Sequence, residues 1–329
     1  MDTVSIILIN YNSTNDTIEC LESIKNAKRD NLNVYAIVVD NNSKDEEKEK
    51  LNQYILNNSF EKCDISNERA SSCYIFKNNE YNVIISFGKE NYGFSGANNI
   101  GLEYANQINS DYFWILNNDT VIDSNAIINL VDFAKNNKDS IIGTTICEYY
   151  AKDQIQMTAG FNYSELTSKN KKINQGTKLS DLEKLEIKRL DCVSGCSFFF
   201  DKSTFEKIEY LDEDYFLYYE ELNLRKKCLK LNIQNSWCKN AIIWHKEGKS
   251  IGSKNIVQKK SDTSELYGTI SCLTYFYKHY RLKFLYMYLF RINVRFIINL
   301  LHFDFHKIKV LNRGYLLFNK KRKSLKKYR

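Results

Sequence analysis

The first half of the chain alternates short β-branched apolar runs with longer stretches of helical period. The runs cover residues 4–9, 34–39, 83–86 and 112–116. This alternation is typical of βαβ units that join into a mostly parallel sheet. It predicts an α/β fold of the Rossmann-like type, in which helices flank the sheet on both faces.

Between the first two runs, residues 13–25 predict a crossover helix. They open with a capping-box pattern, Ser13 and Asp16, and place apolar residues on one face. Later patterns predict further helices from about residue 95 and over residues 124–136 and 220–231, and strands over residues 141–147 and 242–244. Residues 58–82 fit neither pattern, and we expect them to form an excursion or an insertion.

Composition narrows the class of protein. The chain has 329 residues, 43% of them hydrophobic, which is enough for a sizeable core. Its nine cysteines include no C-x-x-C pair, which argues against a zinc cluster and a disulfide framework and favours a reducing compartment. No basic segment followed by a cleavable apolar stretch is visible at the start, so we expect a cytoplasmic protein.

The C-terminal part predicts a helical, amphipathic extension. Residues 266–305 are rich in aromatic and aliphatic side chains, but Lys and Arg interrupt them, so no uncharged stretch of 18 residues exists and we expect no membrane span. One helical stripe is polar, and its members are Arg291, Arg295, Asn299 and His302. Such a helix is expected to lie in a bilayer interface.

The last ten residues contain seven Lys or Arg and no acid. Following an amphipathic helix, this basic tail predicts docking on an anionic membrane surface, on the inner face of a bacterial cell membrane. A disordered solubilising end is one alternative. Nucleic-acid binding through the tail is another, although we expect no nucleic-acid partner.

Polar residues follow each predicted strand of the first half. The four segments are Asn10-Tyr11-Asn12, residues 40–43, residues 91–96 and Asn117-Asn118-Asp119. The carboxyl ends of parallel strands share one edge of the sheet, where open α/β sheets bind ligands. Ordinary turns also favour Asn, Asp and Gly, but four such loops on one edge indicate a nucleotide site. Neither a dinucleotide-binding nor a P-loop motif is present, which leaves nucleotide sugars.

The chain resembles the family 2 inverting glycosyltransferases of the GT-A fold, and within them the rhamnosyltransferase-like branch. The resemblance covers about residues 3–250. It is carried by the blocks SIILINYNS, VVDNNSKD, ENYGFSGANNIG and WILNNDT, followed by SGCSFFF, DEDYFLYYEELNLRKK and WHKEGKS. Each block is weak alone, but their order and spacing are specific.

The resemblance implies a binding surface for a nucleotide-diphosphate sugar. Residues around Ile9 to Tyr11 are expected to hold the base, and Asp40 to accept a hydrogen bond from a pyrimidine ring. The residues expected to bind the nucleotide sugar are Ile9, Asn10, Tyr11, Asp40, Asn42, Asn91, Gly93, Phe94, Asn98, Asn117 and Asn118.

The same resemblance implies a divalent metal, Mn²⁺ or Mg²⁺. Asn117-Asn118-Asp119 looks like the family's D-x-D element, so Asp119 is expected to hold the metal that bridges the donor's phosphates. His245 resembles a later histidine that joins the metal. A strand-ending histidine without a ligand role is the alternative.

A late acidic motif implies the catalytic base. Glu221 is expected to accept the proton of the attacking acceptor hydroxyl, with Glu220 beside it as a supporting or acceptor-binding group. The family usually has Asp at both Glu221 and Asn223, which puts the role of Glu221 in doubt. Ser194, Gly195 and Tyr219 are expected on the acceptor side.

Taken together, the sequence predicts a catalytic domain over residues 1–250, with a nucleotide-binding half (1–120) and an acceptor-binding half (121–250), and a helical region over residues 251–329. The predicted reaction transfers a sugar with inversion, rhamnose from dTDP-rhamnose by resemblance, to a glycan or lipid-linked oligosaccharide of a cell-surface polysaccharide. A galactofuranosyl-, glucosyl- or other hexosyltransferase and a catalytically impaired nucleotide-sugar-binding module remain alternatives.

Overall fold

The computed structural model describes residues 1–78, 81–246 and 261–325, and these divide into two compact units. Unit 1 contains residues 1–92, 96–211 and 224–246. Unit 2 contains residues 93–95 and 212–223 together with the described residues from 261 onward. The predicted domain boundary at residue 250 lies outside the described residues and stays a prediction.

Strands and helices follow one another along the chain in the order that an α/β fold requires. The strands are β1 (Asp2–Asn10), β2 (Leu32–Asp40), β3 (Glu61–Lys62), β4 (Ala70–Phe76), β5 (Tyr81–Gly88), β6 (Tyr112–Asn117), β7 (Thr120–Ile122), β8 (Ser140–Glu148), β9 (Ala151–Thr158), β10 (Gly160–Ser164), β11 (Lys169–Lys172), β12 (Cys192–Val193), β13 (Ser197–Asp201) and β14 (Gln234–His245). The helices are α1 (Thr14–Lys25), α2 (Asp45–Asn57), α3 (Gly93–Gln107), α4 (Ala126–Asn136), α5 (Lys202–Ile208), α6 (Glu220–Lys230), α7 (Asp262–His279), α8 (Arg281–Leu301) and α9 (Phe305–Lys321), with a 3-10 helix at Leu179–Lys184.

The centre of the main sheet is parallel, which confirms the predicted fold class. β5, β2, β1 and β6 are neighbours in that order, and all run in the same direction. The register pairs Asn10 with Asp40 and Ile9 with Asn117. The polar residues that follow these strands therefore meet at one edge.

Burial explains why these strands read as continuous apolar runs. Every residue of β5 is buried, and so are Val4 to Leu8 of β1. A parallel sheet is covered by helices on both faces, so its central strands need apolar side chains in both directions. Leu21 and Ile24 of α1 lie in the same core cluster as Ile6 and Trp114.

Of the excursion or insertion expected over residues 58–82, the structure shows strands that extend the sheet at its edge: β4 pairs antiparallel with β5, and β3 pairs antiparallel with β4. The predicted capping box does not form at Ser13. Its side chain makes no cap hydrogen bond, and its Oγ instead accepts a hydrogen bond from Asn118 Nδ2 at 2.8 Å.

Unit 2 includes a bundle of three helices. α7 packs against both α8 and α9, and its Leu273 shares a core with Leu311, Tyr315 and Phe318 of α9. The predicted C-terminal helical extension is thus confirmed. Among the described residues, one helix, over Leu282–Leu301, is long and apolar enough to cross a membrane by length and composition alone. This helix carries Lys and Arg, whereas the prediction of no membrane span required an 18-residue stretch without charge. Residues 326–329 of the basic tail lie outside the described residues.

Candidate functional site

The ends of β1 and β2 are joined by a buried hydrogen bond between Asn10 and Asp40. Asn10 Nδ2 donates to Asp40 Oδ2 at 2.8 Å, and the other carboxylate oxygen accepts from the backbone N–H of Ser43 at 3.0 Å. Both side chains are fully buried. The pair fixes the two loops relative to each other, because a buried carboxylate is stable only with hydrogen-bond donors around it.

The next loop is tied in through Asn41. Its Oδ1 accepts from the backbone N–H of Tyr92 at 2.8 Å, and its Nδ2 donates to Asn91 Oδ1 at 3.0 Å. Asn42 has a positive φ of 58°, a conformation that Asn tolerates better than most residues. The Asn residues at this edge therefore have structural roles in the turns, whether or not they also contact a ligand.

The predicted nucleotide-binding residues differ in exposure. Tyr11 is 44% exposed, Asn42 is also exposed, and Ile9 and Asn91 are half-buried. Asn98 on α3 is fully buried, as are Asn10 and Asp40. A ligand at this edge therefore meets Tyr11 and Asn42 first, whereas the buried side chains shape the loops.

Asn117 ends β6, and Asn118 and Asp119 follow it; the Asn118 side chain points towards α1, whereas those of Asn117 and Asp119 point towards His245. Asn118 Nδ2 donates to Ser13 Oγ and Thr17 Oγ1, each at 2.8 Å, which ties this turn to the start of α1. The Asn117 side chain lies 3.5 Å from His245. The Asp119 side chain faces His245, the residue that ends β14.

His245 and Asp119 form a buried pair supported by Gln156. His245 Nε2 lies 3.2 Å from Asp119 Oδ1, and its Nδ1 lies 2.9 Å from Gln156 Oε1. An amide oxygen only accepts, so Nδ1 carries the proton and Nε2 holds the lone pair when the ring is neutral. Gln156 is fully buried in β9. Nothing in the sequence motif indicated it, since β9 reaches His245 only through sheet pairing.

The electrostatics of the pair fit this geometry. Burial raises the pKa of Asp119, but its hydrogen bond and charge interaction with His245 outweigh burial and leave the pKa below its ordinary value. Burial lowers the pKa of His245, but the neighbouring Cys196 and Asp119 raise it well above its ordinary value. Without a cation, the imidazolium therefore neutralises the carboxylate.

The donor set suits a divalent cation that shares its ligands with a substrate. Within residues 1–78, 81–246 and 261–325, no group of three or more His, Cys, Asp or Glu side chains could hold a metal ion. Mg²⁺ in phosphate-transfer sites commonly takes only one or two protein ligands, and phosphate oxygens and water supply the rest. Asp119 and the Nε2 lone pair of His245 fit that chemistry, and an imidazole is acceptable to Mn²⁺.

Lys246 is a second residue that sequence reasoning missed. It is 5% exposed, and its Nζ lies 2.5 Å from both Asp16 Oδ1 and Glu19 Oε2 of α1. Its backbone N–H donates to the carbonyl of Asp119 at 3.0 Å. Lys246 thus fastens the end of β14 to α1 and to the Asp119 turn. The remainder of the WHKEGKS block lies outside the described residues.

Ser194 and Gly195 lie in a buried turn before β13. The Ser194 N–H donates to the carbonyl of Ala159, and its Oγ accepts from the N–H of Cys196. Gly160 belongs to the same arrangement, because an added Cβ would lie 2.0 Å from the Cys192 carbonyl oxygen. The acceptor role predicted for Ser194 and Gly195 stays a prediction.

The acidic motif belongs to unit 2 and starts α6. Glu220 is 7% exposed, and its Oε2 has no hydrogen-bond partner among the described residues. Burial, followed by the neighbouring charge of Glu221, raises the pKa of Glu220 well above its ordinary value. Glu221 is half-buried. The raised pKa favours the protonated form of Glu220, and the role of Glu221 as the base stays a prediction.

The backbone before α6 is strained. Tyr218 and Tyr219 are both left-handed, with φ of 68° and 70°, which costs on the order of 1–3 kcal/mol for each residue. Gly93 packs against the same segment, since an added Cβ would lie 2.3 Å from the carbonyl oxygen of Phe216. Phe94 N–H donates to that carbonyl oxygen at 2.6 Å. Such conformations persist only where surrounding contacts impose them.

Helix α7 supplies many of those contacts. Ser271 Oγ donates to the carbonyl of Leu217 at 2.8 Å, and Ser264 Oγ lies 2.8 Å from the Tyr218 hydroxyl. His279 Nε2 lies 2.9 Å from Asn223 Oδ1. Along its length, α7 therefore holds the segment that carries Tyr219, Glu220 and Glu221.

Comparisons with known proteins agree with this architecture. Residues 5–208 match the family described as Glycosyl transferase family 2. No curated protein matches the sequence. Among solved structures, GalNAc-T7 with UDP, GalNAc and Mn²⁺ is similar to the chain with a TM-score of 0.55 at 13% identity, over 83% of this chain and 50% of that one.

Two further structures are similar at lower scores. The Pyrobaculum calidifontis mannosyltransferase PcManGT with GDP-Man and Mn²⁺ has a TM-score of 0.48 at 12% identity, over 82% of this chain and 61% of that one. S. aureus TarS 1-349 with UDP-GlcNAc has a TM-score of 0.48 at 15% identity, over 83% of this chain and 66% of that one. The chain spans less than two thirds of each of these structures. At such identities the likeness shows the GT-A fold alone.

Proposed function

Because the chain belongs to glycosyl transferase family 2, we propose that it transfers a sugar from a nucleotide-diphosphate donor to an acceptor hydroxyl, with inversion at the anomeric carbon. The observation that supports this most is the buried Asp119–His245 pair. The pair lies at the carboxyl edge of the sheet, at the end of β6, beside the strand whose loop is ordered by Asn10 and Asp40. A diphosphate with its cation fits such a surface.

Asp119 and His245 would hold a divalent metal, Mn²⁺ or Mg²⁺. When bound, the metal neutralises the charge that builds on the diphosphate leaving group. Asp119 is buried and its lowered pKa favours the carboxylate, so a bound cation would replace the imidazolium proton as its counter-charge, and Gln156 would leave the lone pair of the neutral His245 ring on Nε2. GalNAc-T7, which shares the fold, was crystallised with UDP and Mn²⁺.

The base and ribose are assigned to the exposed side chains of the same edge. Tyr11 and Asn42 would contact the nucleotide directly, and Asp40 would act by ordering the loop that presents them. The form NND of the metal motif and the spacing of ENYGFSGANN support rhamnose from dTDP-rhamnose as the donor. Galactofuranosyltransferases and glucosyltransferases share these sequence blocks, so their donors are the alternatives.

Glu221 is proposed as the general base. The acceptor oxygen attacks the anomeric carbon as its proton passes to the Glu221 carboxylate, and the bond from that carbon to the diphosphate oxygen breaks, releasing the nucleoside diphosphate. Glu220 would stay protonated because of its burial. The role of Glu221 rests on the sequence motif and on its position at the start of α6, half-buried beside the buried Glu220.

The proposed acceptor is a glycan or a lipid-linked oligosaccharide of a bacterial cell-surface polysaccharide, with the enzyme on the cytoplasmic face of the membrane. The experiment that tests the function is a panel of nucleotide sugars, assayed for thermal stabilisation and for hydrolysis, with and without Mn²⁺. One donor should raise the melting temperature only with the metal, because a ligand that binds the folded state stabilises it. No stabilisation by any donor would contradict the proposal.

A catalytically impaired binding module is the second candidate, and the residues at Glu221 and Asn223 favour it, because the family usually has Asp at both. Asn223 has no carboxyl group, and its Oδ1 accepts a hydrogen bond from His279 Nε2. Stabilisation by a donor without hydrolysis or transfer would identify such a module.

A further inference from the structure

One side of α8 is apolar and open to solvent, and we call it the outer face. Leu282 is 87% exposed, Leu285 59% and Leu289 51%. Further along the helix, Phe296 and Leu300 are also exposed. A run of large apolar side chains of this length marks an interaction surface rather than ordinary solvent-facing residues.

The opposite side of α8 is packed within unit 2. Met287 is buried, and Phe284 and Tyr288 pack against the core that α7 and α9 share. Arg295 forms an ion pair with Glu265 of α7 on this inner side. Because these contacts hold the inner side of α8 against α7 and α9, only the outer face is available to a lipid or protein partner.

The turn after α8 continues the apolar surface. Phe303 in the turn is 79% exposed, and Phe305 at the start of α9 is 58% exposed. Together with the outer face they form a strip more than twenty residues long in sequence. Aromatic and leucine side chains of this kind enter the boundary between lipid headgroups and acyl chains.

The charge of the surrounding segment indicates which partner binds this apolar strip. Residues 281–329 contain fourteen Lys or Arg and a single acid, Asp304. Two copies of such a segment would repel each other across a dimer interface. An anionic lipid surface attracts it instead.

We propose that the outer face of α8, with Phe303 and Phe305, docks on an anionic lipid bilayer. The helix lies along the membrane surface, with its apolar side chains in the headgroup boundary and exposed basic residues, such as Lys283 of α8 and Lys309 and Arg313 of α9, near the phosphates. It does not cross the bilayer, because its inner side stays on α7 and α9.

Docking also selects the acceptor, and this step rests on the proposed function. α7 connects the docking face to the proposed catalytic segment, since it packs against α8 and forms hydrogen bonds with the segment that carries Glu221. A docked unit 2 would keep that segment near the membrane surface. The acceptor class that fits is a saccharide carried on a membrane lipid.

Vesicle cosedimentation of the full chain tests the docking. Wild-type protein should bind vesicles of phosphatidylcholine with 30 mol% phosphatidylglycerol at least about tenfold more tightly than pure phosphatidylcholine, and salt should weaken binding. The double substitution L285E/L289E should reduce binding to the anionic vesicles at least about tenfold. The matched control is L56E/L229E, which changes two leucines of unit 1 that are 77% and 58% exposed.

Three results would overturn the docking. One is equal vesicle binding by L285E/L289E and the control. Another is a wild-type dimer in sedimentation velocity that the double substitution converts to monomer, without any vesicle binding, which would assign the face to a second copy. The third is retention in the bilayer after a carbonate wash at high pH, which would show a membrane span.

The acceptor class is tested separately, with labelled donor and bacterial membranes. L285E/L289E should lose transfer into lipid-extractable product while keeping donor hydrolysis in buffer without membranes. Unchanged transfer into lipid by L285E/L289E would reject the role of docking in acceptor selection, and no transfer into lipid by the wild-type chain, with transfer to soluble glycan instead, would reject the acceptor class. If the wild-type chain itself showed neither donor hydrolysis nor transfer, the proposed function would be rejected, but the vesicle-binding result would not be affected.

Discussion

Nε2 of His245 lies 3.2 Å from Oδ1 of Asp119, although 126 positions separate them in a chain of 329. Asp119 ends the turn after β6, and His245 is the last residue of β14. β7 brings them together, because it follows Asp119 directly and pairs antiparallel with β14, so that Thr120 lies opposite His245. The predicted metal residues thus meet through sheet pairing.

The first prediction concerns Asp119. D119N should reduce Mn²⁺-dependent donor hydrolysis by at least about 10²-fold, because a neutral amide cannot balance the charge of a cation on the diphosphate. It should also abolish the metal-dependent rise in melting temperature with donor. D132N is the matched control, since Asp132 is 65% exposed on α4. Full activity of D119N would remove Asp119 from the metal site.

The second prediction concerns Glu221. E221Q should lower the rate of sugar transfer by about 10²- to 10⁴-fold, which is the usual range for a general base. E221D should retain most of the activity, because it keeps the carboxylate. Donor-dependent thermal stabilisation should be unchanged in both variants. If E220Q, rather than E221Q, abolished transfer with donor binding intact, Glu220 would be the base.

The third prediction is a pH dependence set by Glu220. Its folded-state pKa is raised by burial, so between the unfolded and folded pKa values the folded protein binds a proton that the unfolded chain has lost. Stability therefore falls as pH rises through this window, by up to about 1.4 kcal/mol per pH unit. E220Q removes this slope. Chemical unfolding at several pH values above 4.5 measures it, and parallel curves for both proteins would contradict the prediction.

The fourth prediction concerns Gly93. G93A should destabilise the protein by more than G176A, although both glycines have positive φ, 70° and 80°. In G176A the added methyl group meets nothing within 4 Å, so the cost is the backbone strain of about 1–2 kcal/mol. In G93A it also meets the carbonyl of Phe216. Equal melting temperatures for the two variants would show that the segment around Phe216 moves away.

The fifth prediction concerns Lys278 of α7. The residue is 4% exposed, and its ammonium group is ion-paired with Asp212, at 2.6 Å, and with Asp214. K278M should destabilise the protein by about 3–5 kcal/mol, because it removes the cation shared by two partly buried carboxylates and leaves only Lys321, 3.7 Å from Asp214. K135M breaks an exposed pair with Asp132 and should change the free energy of unfolding by less than about 1 kcal/mol.

A follow-up variant separates charge from packing at Lys278. D212N/D214N combined with K278M should recover part of the stability, since the uncompensated charges are gone. Failure of the triple variant to recover any stability would assign the effect of K278M to lost packing over Tyr215, whose ring lies 5.5 Å from the Lys278 ammonium.

Local sequence was enough for the parallel half of the fold. The apolar runs of β1, β2, β5 and β6 and the amphipathic period of α1 are properties of neighbouring residues. The sequence pattern did not predict helix α2, because this helix buries only Leu51 and Ile55. The pattern did not predict the β3–β4 edge either, because strand pairing with β5 is a contact between separate segments of the chain.

The sequence by itself determined the fold class, the family and the residues that end each strand, because strand periodicity and motif spacing are local. Only the tertiary structure decided which of those residues share a site. Gln156 joins His245 through strand pairing, Lys246 joins α1 through a buried ion pair, and the environment of Glu220 depends on burial. Burial and pairing arise from contacts between distant segments, so no stretch of sequence contains them.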